Sequence, residues 1–301
     1  MTMRKGDSWR VGFLGAIERG ALSEAIEVLD GEKTAHAGTP RQAVKLAAVK
    51  VMGGHFGEGT AALYGAAMAF ACSESEGAQE VGLVQLGQLF GHNPAEVTGV
   101  ILRLADSGNW EVREWAASAL RRVIGENFEA VYPTVREWVG HSSPNVRRAA
   151  AVASAWAAGG CSEAECRMLL EALTPLLEDD DAYVRKNLGA FAIGDSFLKA
   201  QPALVAGWLG RASGHPRAQW NVAMALSAAE AAKHFGLLSG LLCGLAADER
   251  TVVRRAVYRA VLNLGKRVPE EVNSLVEGWK DDPERRHVYD HVKKKVGEGG
   301  G

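Results

Sequence analysis

WVGHSSPNVRRAAAVASAWAA, residues Trp138–Ala158, holds the pattern from which the rest of the chain can be read. Trp138 closes one apolar segment, a short polar turn follows, and a helix start at Asn145 leads through Arg147 into a run dense in alanine. Ser, Asp, Asn and Gly in such turns cap the orphan amides of a helix that is about to begin. The phrase recurs with anchors at Leu104, Trp138, Leu176, Trp208, Leu245 and Trp279, at intervals of 34, 38, 32, 37 and 34 residues. Nine residues beyond the first five anchors stand Arg113, Arg147, Arg185, Arg217 and Arg254; the sixth count lands on Val288, just after Arg285 and Arg286. The mean interval of 35 residues is the length of one antiparallel helix pair in a stacked array.

The fold expected is therefore all-α: a HEAT-like α-α superhelical solenoid of helical hairpins with a concave inner face. Residues 1–295 are read as one solenoid domain, with degenerate repeats over 1–105, regular repeats over 106–295 and a flexible tail over 296–301. Early helices are placed near Val11 to Leu29, Pro40 to Met52, Gly59 to Ala71, Ala78 to Phe90 and Pro94 to Ala105, with Thr39 and Asn93 as caps before prolines. From Asp106 onward, outer helices are expected at Phe128 to Trp138, Glu163 to Leu177, Pro202 to Arg211, Phe235 to Ala246 and Pro269 to Trp279. Inner helices begin near Trp110, Asn145, Ala182, Arg217, Thr251 and Glu284. Alanine crowds the inner set, which suits close helix approach. GGHFGEGT from Gly53 has no β-periodic run before it and reads as an inter-helix loop rather than a phosphate cradle.

With 34 Lys and Arg against 36 Asp and Glu, the net charge of −2 gives no global attraction to an anionic partner. Residues 250–295 nevertheless carry 12 basic and 7 acidic residues, so the last arm is the basic one. Cys72, Cys161, Cys166 and Cys243 lie scattered in helical patterns and are expected as buried thiols in a reducing compartment. No apolar segment suits a signal or a membrane span, so a cytoplasmic location and no membrane partner are expected. No metal-ligand set emerges, because His287 and His291 have only Asp290 as a nearby carboxylate, and no cofactor is expected. Asp195, inside the apolar run GAFAIGDSFL, is read as a helix-kinking or hydrogen-bonded core group.

Equivalent offsets in the inner helices form rows along the array. Arg113, Arg147, Arg185, Arg217 and Arg254 make a row suited to bracing one repeat against the next. One residue further on come Glu114, Arg148, Lys186, Ala218 and Arg255: a carboxylate followed by cations able to neutralise phosphates. Trp110 lies one helical turn before Glu114 on the same face.

NWEVRE at Asn109 to Glu114, WVGHSSPNVRRAA at Trp138 to Ala150 and YVRKNLGAFAIGDSFLKAQPALV at Tyr183 to Val205 resemble motifs of the DNA alkylation repair glycosylases of the AlkD and AlkC type. The AlkD type carries Asp where this chain has Glu114, while the AlkC type accommodates Glu. At the family's aromatic position after the basic residue stands Ala190, with Phe191 one step off. The resemblance implies a monomer acting on alkylated double-stranded DNA and excising cationic N3- or N7-alkylated purines. Glu114 and Trp110 would then be catalytic, the first opposing an oxocarbenium-like sugar and positioning water, the second packing on the deoxyribose. Arg147, Arg148, Arg185, Lys186, Phe191, Arg254 and Arg255 would contact the DNA. Two alternatives stand beside it: a catalytically silent DNA-binding relative, and a HEAT-repeat scaffold whose partner is a protein.

Overall fold

A computed structural model describes residues 8–298, with side chains to 295. Helices α1 to α6 are Ser8–Glu18, Leu22–Asp30, Gln42–Phe56, Ala61–Ala71, Glu76–Gln88 and Pro94–Ala105. Next come α7 Trp110–Glu126, α8 Phe128–Val139, α9 Pro144–Ala157, α10 Glu163–Leu173 and α11 Ala182–Asn187. The last group is α12 Leu198–Ala200, α13 Pro202–Ala212, α14 Gln219–Leu226, α15 Ala229–Lys233, α16 Phe235–Ala246, α17 Thr251–Gly265, α18 Pro269–Glu277 and α19 Arg286–Glu298. Apart from one antiparallel bridge between Lys33 and Pro40, the described residues carry no β structure. Two compact units divide between Thr134 and Val135.

In the first unit α5 is the central helix, packing on α2, α3, α4, α6 and α7. Its contact with α4 depends on Gly82: a Cβ there would lie 2.5 Å from Ala71 N and 2.7 Å from Ala67 O. The expected helix over Val11 to Leu29 is two helices, because Gly20 takes φ 70°, a left-handed conformation that ends α1. Residues Gly53–Phe56 belong to α3 rather than to a loop; the break is confined to Gly57–Thr60, where both glycines have positive φ. Asn93 caps α6 as expected, accepting from Glu96 N.

Thr39 does not cap a helix. It is buried, and its hydroxyl donates to Glu111 Oε2 at 2.7 Å while accepting from Lys45 Nζ at 3.0 Å. The fully buried Lys45 ammonium also lies 2.7 Å from Glu111 Oε1 and 2.5 Å from Glu80 Oε2, with the Trp115 ring centroid 5.4 Å away. The Glu80 contact lacks hydrogen-bond alignment, so burial dominates and pushes the Glu80 carboxyl up to about 7, against the pull of Lys45. At Glu111 burial also pushes upward, but hydrogen bonds from Lys45 and Thr39 outweigh it and hold the group below the usual carboxylate range.

A carboxyl raised in the folded state binds its proton more tightly there than in the unfolded chain. Its contribution to stability is present at low pH and is lost as pH rises from about 4.5 to about 7. Glu111 acts in the opposite sense, its contribution being lost as pH falls through the acid range. Denaturant midpoints measured between pH 5 and pH 8 should therefore show a decline toward neutrality that Glu80→Gln flattens. An unchanged slope in the variant would exclude Glu80 as its source.

In the second unit α9, then the π-helical segment that follows α11, then α14, α17 and α19 pack in succession, while α10, α13 and α16 form a second series. Trp138, Trp208 and Trp279, three of the sequence anchors, are buried. The helix started by α11 continues as a π-helix over Leu188–Phe197. Gly189 and Gly194 face α14 there, and a Cβ on Gly189 would lie 2.8 Å from Met224 Cβ. Asp195 sits in this segment and accepts from Glu230 N at 3.4 Å, at the start of α15, so it is the hydrogen-bonded group expected.

Of the four cysteines, all free, only Cys166 is buried; Cys161 and Cys243 are half-buried and Cys72 is exposed, which corrects the expectation of four buried thiols. No described helix is long and apolar enough to cross a membrane. The expected flexible tail begins as the last turn of α19, and residues 299–301 lie outside the described residues.

Candidate functional site

Each inner helix begins with the same closure: a long polar side chain folds back on the carbonyl six residues earlier. Gln79 reaches Ser73 O at 2.8 Å, Arg113 reaches Ser107 O at 2.7 Å, Arg147 reaches His141 O at 2.9 Å and Arg185 reaches Asp179 O at 2.7 Å. Gln219 reaches Ser213 O at 2.9 Å, Arg254 reaches Asp248 O at 2.9 Å and Arg286 reaches Lys280 O at 2.8 Å. A loop entering a helix leaves carbonyls without ladder partners, and these side chains satisfy them.

This pattern resets the register in the fourth and sixth repeats, those of Trp208 and Trp279. Gln219 and Arg286 hold the places that counting from the anchors assigned to Arg217 and Val288. The neighbouring row becomes Glu80 and Glu114 in the first unit, and Arg148, Lys186, Trp220, Arg255 and His287 in the second. Trp220 escaped notice in the sequence because an amide, rather than a guanidinium, closes its loop. Gln79 marks the same alternative and was the available signal.

In the first unit Asn109 caps α7 by accepting from Glu111 N at 2.9 Å, and its amide holds Glu76 and Ala37 O. That cap places Trp110 on the first turn, 45% exposed, with its ring edge-on to His36 at 5.5 Å. Glu114, one turn on, is half-buried.

In the second unit the expected DNA-contacting cations have other engagements. Arg148 is only 5% exposed, with its guanidinium 5.3 Å from the Tyr183 ring centroid. The helix that bears it, α9, packs directly on α11. Arg147 makes two bonds to the Asp179 carboxylate, at 2.6 and 3.1 Å, the bracing role its row suggested. Hydrogen bonding to Asp179 holds the Arg147 proton more firmly than usual. Arg254 closes its own loop, whereas Lys186 and Arg255 are exposed. Phe191 lies edge-on to Trp156 at 6.3 Å.

The structure brings Arg185, Lys186 and Trp220 together around an open groove of about 420 Å³. One wall is Glu178–Asp180 and the start of α11, the other Pro216, Arg217, Arg250 and the first residues of α17. Arg185 lies 5.8 Å from the Trp220 ring centroid. Arg217 ties the groove's two loops together, donating to Asp180 Oδ1 at 2.7 Å and to Glu178 O at 3.0 Å. Arg250 does the same one repeat later, through Pro216 O, Gln219 and Asp248. Val252 at the rim is 55% exposed.

Among the described residues no group of three or more His, Cys, Asp and Glu is placed to hold a metal. His287 and His291 instead flank Tyr258, the first 3.0 Å from its hydroxyl, the second stacked on its ring at 4.0 Å.

Residues 66–156 and 97–193 match the sequence profile of HEAT repeats, within the span where the loop closures recur. Residues 66–193 carry HEAT repeats. The chain's HEAT-type fold is shared with Kap95p, seen bound to RanGDP, at 15% identity and a TM-score of 0.51 over 94% of this chain and 39% of that one. The YibA protein of E. coli is 18% identical, with 97% of this chain and 99% of that chain covered and a TM-score of 0.40. Importin beta is 13% identical over 92% of this chain and 41% of its own, at a TM-score of 0.38. No curated protein matches the sequence.

Proposed function

We propose that the chain is a HEAT-repeat scaffold that holds a protein segment in the groove of its second unit. The observation that carries this reading is the commitment of Arg147 and Arg148: the first is bound to Asp179 and the second is buried against Tyr183, so of the expected phosphate-gripping row only Lys186 and Arg255 stay exposed. What the groove offers instead is an indole, an exposed valine and charged side chains of both signs, the mixture that protein interfaces use. Kap95p, of the same fold, binds a protein.

A second reading, alkylated-DNA repair, rests on Trp110: a partly exposed indole one turn before Glu114 suits packing against a sugar. Duplex binding followed by anisotropy at increasing salt separates the two. A scaffold gives weak binding without the steep salt slope of phosphate contacts. Alkylated duplex incubated with the protein should release no 7-methylguanine or 3-methyladenine. Release that Glu114→Gln abolishes would replace the scaffold reading with the enzymatic one.

A further inference from the structure

Three of the carboxylates around the groove are already engaged, while Glu178, also in its lining, makes no ion pair among the described residues. Asp179 is held by Arg147 and accepts from Asp181 N, Asp180 is paired with Arg217, and Asp248 is paired with Arg250. Lys186 has no such engagement: it is exposed and makes no ion pair among the described residues. Arg185 gives its hydrogen bonds to two neutral carbonyls, Asp179 O and Asp180 O, and its charge also acts on the Asp179 carboxylate, which Arg147 already holds. On α17, Arg255 and Arg259 are likewise exposed and without ion pairs among the described residues. These four cations outnumber Glu178, the groove carboxylate without an ion pair, although the whole chain is slightly acidic.

Trp220 lies between the cations of α11 and those of α17 in the same row. Its indole supplies a large apolar surface at small entropic cost, and Val252 adds a second apolar contact at the rim. A groove of about 420 Å³ accommodates a few side chains of an extended segment rather than a folded element.

Resting on the scaffold reading, we infer that the groove takes an acidic segment of extended polypeptide, with an apolar side chain on Trp220 and carboxylates facing Lys186 and the arginines of α17. A duplex would meet the same cations, but the indole and valine between them give a phosphate backbone nothing to pair with. An alternating acidic and apolar chain matches both elements. Charge complementarity of this kind sets which partner binds and how fast, while the aromatic anchor supplies most of the affinity.

The test uses the full chain and three fluorescein-labelled probes: an octapeptide alternating Glu and Leu, one alternating Lys and Leu, and a short DNA duplex. Anisotropy should show the acidic peptide binding most tightly. Lys186→Glu should weaken it roughly tenfold, and Trp220→Ala on the order of thirtyfold. Circular dichroism establishes that both variants are folded. Tighter binding of the basic peptide, lost in Trp220→Ala, would overturn the charge assignment and leave the scaffold reading standing. Binding of the duplex alone would overturn both. Binding of none of the probes, or acidic-peptide binding indifferent to both substitutions, would remove the groove as the docking site.

Discussion

Replacing Lys45 by Met should cost the protein about 3–5 kcal/mol at pH 8, the range for removing one partner of a buried ion pair. Lys45 and Glu80 are fully buried, and Glu111 is largely so. The ammonium is the cation that both carboxylates contact, and Thr39 depends on it as well. Met fills a similar volume, so the loss comes from stranded charge rather than from a cavity. The pH dependence is the signature. Glu80 already binds a proton near neutrality, and without Lys45 it would do so more readily. At pH 5 it enters the fold neutral, and the cost of the substitution should shrink. Urea denaturation at the two pH values checks this; an equal loss at both, or a loss below about 1 kcal/mol, would mean that the network is not the charge clamp its geometry describes.

Gly82→Ala should destabilise the first unit by about 2–3 kcal/mol, although alanine is the better helix former. The added methyl would meet Ala71 N at 2.5 Å, Ala67 O at 2.7 Å and Ala71 Cβ at 2.8 Å. None of these is the end of a flexible side chain, so α4 itself must move away from α5. Gly65 on α4 is the control, because a Cβ there meets nothing within 4 Å. Gly65→Ala should stabilise by about 0.5–1 kcal/mol through the same propensity that Gly82→Ala cannot exploit. Thermal unfolding of the pair should move in opposite directions. If both were stabilised, α4 and α5 would not be in the close contact described.

The recurrence of anchor, polar turn and capped helix made the helical repeats legible, since each device acts over a few residues. Asn109, Ser143 and Asp181 cap the helices that follow them. The bracing role of Arg147 was also visible, because a long cation nine residues past an anchor is a local feature. The site was far less legible. Arg148 and Lys186 occupy matching positions in two repeats, yet one is buried and the other exposed, because their neighbours differ. Trp220 was missed when a glutamine took over the loop closure that arginine performs elsewhere.

Periodicity, capping and composition act along the chain, and they settled by themselves that this protein is built of helical repeats closed by polar turns. Which charges are consumed and which remain depends on groups far apart in sequence. Lys45 meets Glu80 and Glu111, Arg147 meets Asp179, and Arg185 meets Trp220 only after the helices have packed. Burial then sets the energy of each charge. That is why the clamp in the first unit and the groove in the second were decided by the tertiary structure alone.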